Sequence, residues 1–128
     1  MSKNLQKKFS ISKELRERTY KFALGIFELC SKLPNTDEAR IIKRQLLKAG
    51  SSVGVPIYIG KEADGSLTLN DFIYRVDISF KECKESRYWL RLIVDRKLLQ
   101  REIVQPLLDE SLELIKILST IIYKCLKK

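Results

Sequence analysis

The stretch DFIYRVDISFKECKESRYWLRLIV, residues 71–94, decides the fold because it is a long helical pattern without glycine or proline. Its apolar residues recur every three or four positions, which puts them on one face of an α-helix. That face holds Phe72, Val76, Ser79, Phe80, Cys83, Leu90 and Val94, with Ile73 at its edge. A second, thinner apolar stripe holds Tyr74, Ile78, Trp89 and Leu92. Two stripes on one helix predict two partners, the second being another helix or another subunit.

The beginning of this helix is also encoded in the sequence. Thr68 and Asp71 are spaced as a capping box, in which a hydroxyl and a carboxylate satisfy free N–H groups of the first turn. Leu67 and Phe72 stand at the positions of a hydrophobic staple on either side. At about 1.5 Å per residue the helix is roughly 35 Å long, the span of a small domain.

Two helices are predicted before this one. The first carries its apolar stripe from Leu15 to Leu33 and ends at Pro34, and the second carries its stripe from Ala39 to Val53. The residues suited to cap them are Ser10 or Ser12 for the first and Asn35 or Thr36 for the second. Because proline cannot donate a backbone hydrogen bond, we expect the second helix to be kinked or broken near Pro56.

A run of small residues, AGSSVG at 49–54, closes the second helix. Small side chains allow another backbone to approach closely, although glycine weakens a helix by about 1 kcal/mol relative to alanine. The approaching backbone belongs either to a binding partner or to a neighbouring helix of the same chain. Tight packing within the chain is the favoured interpretation.

The last helix is predicted to open at Glu102 or Gln105, with Pro106 in its first turn, where proline is tolerated. Its main stripe is Leu108, Leu112, Ile115, Ser119, Ile122 and Leu126. A second stripe is Leu107, Leu114, Leu118, Ile121 and Cys125. Together the segments predict an all-α, up-down-up-down four-helix bundle over residues 12–128, preceded by a flexible basic arm at residues 1–11.

The charge balance points to an anionic partner. The chain carries 25 Lys and Arg against 16 Asp and Glu, a formal net charge of +9. Such a surface attracts nucleic acid or acidic membrane, and the plain alternative is a helical protein with a basic bias. The longest charge-free run, residues 49–60, is too short to span a bilayer, and no signal peptide is apparent. We therefore expect a cytoplasmic protein without a membrane partner.

The residue types argue against catalysis. The chain has no His, which removes the commonest general base and metal ligand. Its three Cys residues lie on or beside apolar stripes without a Cys-x-x-Cys pair, a pattern typical of buried residues in a reducing compartment. Residues 54–61 resemble a phosphate loop, but the spacing is one residue too long and Glu62 replaces the hydroxyl residue. No catalytic residue, metal site or cofactor is predicted, and the protein is interpreted as non-enzymatic.

Basic side chains are the remaining candidates for a binding site. Lys and Arg bind phosphate backbones without reading sequence, and a neighbouring aromatic ring can stack on a base. The candidate nucleic-acid-binding residues are Arg40, Lys43, Arg44, Lys48, Lys81, Lys84, Arg87, Tyr88 and Arg91. The alternative is a solvated face whose cations balance Glu82, Glu85 and Asp95. The candidate subunit contacts are Tyr74, Ile78, Trp89, Leu92, Leu114, Leu118 and Ile121.

Three segments, taken in order, carry a resemblance to a known family. They are RQLLKAGSSVG at residues 44–54, DFI at 71–73 and FKECKESRYWLRL at 80–92. Together they resemble the bacterial four-helix-bundle family whose founding members are encoded in intervening sequences of the large-subunit ribosomal RNA gene. The accessory variability protein of diversity-generating retroelements is a related member. The resemblance covers nearly the whole chain.

The resemblance implies a homo-oligomer, a homopentameric ring or barrel, and no catalytic site. Its retroelement member implies binding of nucleic acid, RNA or DNA, and of a reverse transcriptase through a basic surface. In the family the small-residue run continues as one helix, whereas here Val55-Pro56-Ile57 follows it and Tyr58-Ile59-Gly60 resembles an insertion. Two functions are thus predicted: an oligomeric nucleic-acid-binding bundle or, alternatively, a protein-interaction scaffold that docks a polymerase or another protein.

Overall fold

The computed structural model of the protein describes residues 11–62 and 68–127. Its helices in chain order are α1 (Lys13–Cys30), α2 (Asp37–Ser51), α3 (Val55–Glu62), α4 (Leu69–Asp95) and α5 (Arg101–Leu126). No strand occurs within these described ranges. Because α2 and α3 together occupy the place of the predicted second helix, the prediction of a four-helix bundle with a broken second helix is confirmed.

The helices of the chain surround one hydrophobic core. α1 packs against α2 and α5, and α4 packs against α2, α3 and α5. Fully buried side chains from α1, α2, α4 and α5 form this core, among them Phe22, Ile26, Leu46, Leu90, Ile93, Leu114 and Leu118. Burying such side chains contributes about 1.5–3 kcal/mol each, so the apolar stripes account for the assembly of the bundle.

Hydroxyl side chains cap the N-termini of three helices at predicted positions. Each oxygen accepts a hydrogen bond from the backbone N–H three residues later, which satisfies one of the free donors of the first turn. The bonds run from Leu15 N to Ser12 Oγ (3.1 Å), from Ala39 N to Thr36 Oγ1 (3.3 Å) and from Asp71 N to Thr68 Oγ1 (3.1 Å). The alternative cap Ser10 and the staple residue Leu67 lie outside the described residues.

The second helix breaks at residues 52–54, just ahead of Pro56. Ser52 N donates to Ala49 O at the end of α2, and Tyr58 N donates to Gly54 O at the start of α3. Pro56 therefore lies in the first turn of α3, where a missing N–H costs no helical hydrogen bond. A Cβ at Gly54 would lie 2.7 Å from Thr19 Oγ1 on α1. The small residues thus serve packing within the chain, as favoured from the sequence.

Three details of the sequence interpretation are wrong. α5 begins at Arg101, so Pro106 lies in its second turn rather than its first. Ile11, assigned to the basic arm, is buried against the core, so packing begins one residue earlier; the rest of the arm, residues 1–10, lies outside the described residues. On α5 the two predicted stripes merge, because this helix packs on both α4 and α1. Its buried residues are Val104, Leu108, Ser111, Leu114 and Leu118.

A bidentate ion pair that the sequence analysis did not identify joins α1 to α5. Arg18 Nη2 lies 2.6 Å from Glu110 Oε1, and Arg18 Nε donates to Glu110 Oε2 at 3.0 Å. Glu113 Oε1 lies 3.5 Å from the same Nη2. These contacts raise the pKa of Arg18, chiefly through the Glu110 hydrogen bonds, with desolvation opposing. The pair links two helices that are distant in sequence.

The turn between α4 and α5 forces one residue into a left-handed conformation. Lys97 has φ 56°, while Leu98 N donates to Ile93 O and Lys97 N donates to Val94 O, both at 3.0 Å. This pair of bonds is the Schellman arrangement that closes a helix, and its left-handed position is usually glycine. A side chain in this conformation costs roughly 1–2 kcal/mol.

We expect Lys97→Gly to raise the free energy of unfolding by about 0.5–1 kcal/mol, since glycine removes the strain but adds entropy to the unfolded chain. Lys97→Ala is the matched control, because it removes the same charge and keeps the strained Cβ. Urea unfolding of both variants measures the difference. Equal stabilities of the two variants would show that the left-handed backbone carries no such cost.

Candidate nucleic-acid interface

Four of the predicted binding residues form a single stripe on α4. Lys81, Lys84, Tyr88 and Arg91 recur at intervals of three, four and three residues and are all exposed. Side chains at this spacing share one face of a helix, here the face opposite the buried Cys83 and Leu90. The stripe spans about 15 Å at 1.5 Å per residue. We call these four residues the α4 basic stripe.

Neighbouring side chains hold parts of this stripe in position. Lys81 Nζ lies 3.0 Å from Asp77 Oδ2, and Lys84 Nζ lies 5.0 Å from the centre of the Phe80 ring. The Tyr88 ring meets Trp89 edge to face, with 5.1 Å between ring centres. Arg91 forms no ion pair with a described residue. An exposed pair such as Lys81–Asp77 is weak, so a phosphate can compete for the ammonium group.

Arg87 is half-buried and contacts α5. Its Nη1 donates to Leu108 O at 2.8 Å and to Ser111 Oγ at 3.4 Å, both on α5. One nitrogen of the guanidinium group, Nη1, is thus engaged at the α4–α5 contact. Arg87 therefore lies outside the exposed set on α4, and its place in the binding surface stays a prediction.

Three of the four candidates on α2, Arg40, Arg44 and Lys48, recur at intervals of four residues and are exposed, so they also share one helix face. Arg40 donates to Asn35 Oδ1 at 2.6 Å and pairs with Asp37. Burial raises the pKa of Cys30 on α1 and of Glu82 on α4, and the charges of Lys43 and Lys48 respectively oppose these shifts. Arg44 is exposed and forms no ion pair with a described residue. Arg44 and Lys48 thus form a second, shorter pair of exposed cations on one face of α2, while Arg40 is held by Asn35 and Asp37.

A carboxyl group lies where α2 meets α4. Glu82 is half-buried, and its pKa is raised by desolvation and by the nearby Glu85, while Lys48 lowers it. Lys48 forms no ion pair with a described residue and stays a candidate for phosphate contact. The α4 basic stripe differs from the α2 set because an exposed aromatic ring, Tyr88, lies among its cations.

The predicted subunit contacts fall into two groups according to their solvent exposure. Tyr74 is exposed, and Ile78, Trp89, Leu92 and Ile121 are half-buried. Leu114 and Leu118 are fully buried in the core of the single chain, so their assignment to a subunit interface is corrected. The reason is the merged stripe of α5, which turns these two leucines towards the bundle axis.

Several exposed apolar side chains were not predicted from the sequence, among them three on α1 and one on α2. Tyr20, Leu24 and Phe27 on α1 are 59%, 52% and 52% exposed, and Ile41 on α2 is 61% exposed. The α1 residues repeat at four and three positions, a stripe that could have been recognised in the sequence. Ile41 gave no such signal, because the residues one turn away on its helix face, Glu38, Arg44 and Gln45, are all polar.

The described residues show little that could support covalent or metal chemistry. Burial raises the pKa of Cys30 to about 11 and that of Cys83 to about 12, which disfavours the reactive thiolate. No cluster of three potential metal ligands occurs in residues 11–62 and 68–127. Within the same ranges, no helix has the length and apolar character needed to cross a membrane.

Comparison with known proteins gives a consistent relationship. The profile of a family described as 23S rRNA-intervening sequence protein matches residues 12–120. A crystal structure of a protein of unknown function from the S23 ribosomal protein family of Bacteroides thetaiotaomicron is similar, with a TM-score of 0.74 and 30% identity, covering 84% of this chain and 97% of that chain. No curated protein shows significant similarity. The profile match over most of the chain, on a bundle shared with a solved relative, shows that the chain belongs to the 23S rRNA-intervening sequence protein family.

Proposed function

We propose that this chain is a non-enzymatic, cytoplasmic, oligomeric bundle that binds the phosphate backbone of RNA or DNA. The observation that carries the proposal is the α4 basic stripe, in which three exposed cations and one exposed tyrosine share one helix face. The formal net charge of +9 supports it, because a positive surface attracts polyanions at long range. The family resemblance adds the expectation that the oligomer is a homopentamer.

The chemistry of the stripe suits contact with a backbone rather than the reading of bases. Lys and Arg neutralise phosphates and release counterions, so affinity falls steeply as salt rises. Tyr88 can stack on an unpaired base, a contact worth about 1–3 kcal/mol. The acids Asp77 and Asp95 lie at the two ends of the same helix face and limit the length of the basic segment. A short, sequence-independent contact is the expected result.

A protein-interaction scaffold is the second candidate function. It is favoured by the exposed apolar side chains on α1 and α2, since exposed apolar surface marks contact sites for proteins. In that case the assembled bundle docks a polymerase or another protein, and the basic stripe is a solvated helix face. The two functions differ in whether the purified chain binds nucleic acid at physiological salt.

Reversal of the three cations, Lys81→Glu, Lys84→Glu and Arg91→Glu in one variant, tests the proposal. The matched control reverses Lys21, Lys32 and Lys124, which are exposed, lie on other helices or loops and change the net charge equally. We expect the stripe variant to lose at least tenfold more affinity for mixed-sequence RNA than the control. Its plot of log affinity against log salt should also be shallower by about 3, one unit for each lost phosphate contact.

Fluorescence anisotropy at several salt concentrations gives both quantities. Equal losses in the two variants would assign binding to net charge and not to the stripe. No binding by the unaltered chain at physiological salt would favour the scaffold function. Circular dichroism of each variant controls for loss of the helical fold.

A further inference from the structure

Tyr88 carries an aromatic ring that is held in place without being buried. Its side chain is 59% exposed, and its ring meets that of Trp89 edge to face, at 84° and with 5.1 Å between ring centres. Trp89 packs against the hydrophobic core, and its Nε1 donates to Glu85 Oε2 at 3.3 Å. Because Trp89 is held by both contacts, it restricts the orientation of the Tyr88 ring. The surface of α4 therefore presents a positioned aromatic ring to solvent.

Two cations stand on either side of this ring. Lys84 precedes Tyr88 by four residues and Arg91 follows it by three, so both are its neighbours on the helix surface. Neither forms an ion pair with a described residue. Lys84 Nζ lies 5.0 Å from the centre of the Phe80 ring, one turn along the helix on the side away from Tyr88. The two cations therefore flank the tyrosine ring, and the ammonium group does not cover it.

The acids on this part of α4 leave the two cations unpaired. Glu85 accepts the hydrogen bond from Trp89, and Asp77 Oδ2 lies 3.0 Å from Lys81 Nζ. Asp95 forms no ion pair with a described residue, but it lies seven residues beyond the tyrosine, a helical rise of about 10 Å. A phosphate group beside the tyrosine ring would therefore displace no ion pair.

Cations alone would not favour a single strand over a duplex. A duplex carries one phosphate charge per about 1.7 Å of its axis, twice the density of one strand, so a purely cationic surface binds it at least as well. An exposed aromatic ring reverses this order, because a single strand offers free base faces on which the ring can stack. Duplex bases are already paired and stacked, and opening one of them costs free energy. The ring among the cations therefore favours an unpaired strand.

We propose that the α4 basic stripe binds unpaired nucleic acid, with one base stacked on Tyr88 and phosphates on either side held by Lys84 and Arg91. The inference rests on the proposed function and narrows its ligand from any phosphate backbone to a single strand or a loop. The rise from Lys84 to Arg91 is about 10 Å, the length of about three stacked nucleotides at 3.4 Å each. Tyr88 sets the preference for an unpaired strand, and the cations set the salt dependence of binding.

Substitution of Tyr88 tests this preference while every charge stays in place. Tyr88→Ala removes the ring, and Tyr88→Phe keeps the ring and removes only the hydroxyl group. The matched control, Tyr123→Ala, removes a ring on α5 that is 61% exposed. Fluorescence anisotropy at physiological salt measures the affinity of each full-length chain for one mixed-sequence RNA, as a single strand and as the duplex with its complement. DNA of the same sequence, in both forms, shows which kind of unpaired strand binds more tightly.

Trp89 supplies a second measurement because it is the only tryptophan of the chain and its ring contacts that of Tyr88. A base stacked on Tyr88 lies close to the indole ring, so saturation with the single strand should quench the emission of Trp89. Saturation with the duplex should leave the emission unchanged, since no base then reaches the ring. Circular dichroism verifies that each variant keeps its helical content.

The unaltered chain should bind the single strand at least tenfold more tightly than the duplex, and Tyr88→Ala should remove this preference by weakening single-strand binding alone by about tenfold. Tyr88→Phe and Tyr123→Ala should keep it. Equal or tighter binding of the duplex by the unaltered chain overturns the inference but leaves phosphate binding in place. An equal loss for both forms in Tyr88→Ala, or an unchanged Trp89 emission with the bound single strand, does the same. Absence of binding to either form overturns the proposed function and this inference together.

Discussion

Leu114→Ala is expected to lower the free energy of unfolding by about 3 kcal/mol, within the range of 2–5 kcal/mol for large-to-small changes in a core. Leu114 is 0% exposed and lies on the merged stripe of α5, so its removal leaves a cavity. Leu112, two residues earlier, is 39% exposed. We expect Leu112→Ala to cost about 1 kcal/mol or less, because water already reaches part of that side chain.

Urea unfolding followed by circular dichroism measures both changes in the same helix. The two substitutions remove the same atoms and have similar effects on helix propensity, so their difference reports burial alone. The sequence pattern assigned Leu112 to the core and Leu114 to a subunit contact, which predicts the opposite order. A larger loss for Leu112→Ala would contradict the packing of α5 described above.

The second large effect concerns two glycines whose replacement by alanine should change stability in opposite directions. A Cβ at Gly50 would lie 2.7 Å, 2.9 Å and 3.1 Å from Cγ1, Cγ2 and Cβ of the buried Ile26. Those atoms sit close to the α1 backbone and cannot move alone, so overpacking should cost about 1–3 kcal/mol. A Cβ at Gly25 would meet Leu107 Cδ2 at 2.9 Å, the flexible end of a half-buried side chain.

We expect Gly50→Ala to lower the free energy of unfolding by about 1–2 kcal/mol and Gly25→Ala to raise it by about 0.5 kcal/mol. The gain at Gly25 comes from the higher helix propensity of alanine in the interior of α1. Thermal and urea unfolding of both variants measure the two signs. Equal stabilisation by both substitutions would show that α1 and α2 do not approach closely at Gly50.

The course of α4 could be predicted from sequence because several local signals agree. Thr68 caps it, its interior lacks glycine and proline, and its apolar residues keep a helical period over six turns. The bundle followed from the same reasoning applied to α1, α2 and α5. Local signals of this kind do not depend on the neighbouring helices, so a helix predicted from them is also present in the folded chain.

Other features depend on neighbours that a one-dimensional pattern does not identify. On α5 the buried stripe lies between two apolar sets, and only contact with both α4 and α1 selects Leu114 over Leu112. Arg87 has the same sequence appearance as Lys84, yet its guanidinium group reaches α5. The ion pair between Arg18 and Glu110 joins residues 92 positions apart and gave no local signal. Candidate binding residues were therefore found as a class but not as one surface.

Assembly and nucleic-acid binding are both measured by light scattering coupled to size exclusion, with and without a short structured RNA at two salt concentrations. We expect a multi-subunit mass that rises when RNA is added at low salt and returns to its starting value at high salt, because phosphate contacts are screened. An assembled mass that ignores RNA would contradict nucleic-acid binding and favour the protein scaffold. A mass of one chain under every condition, with or without RNA, would contradict both the assembly and the binding.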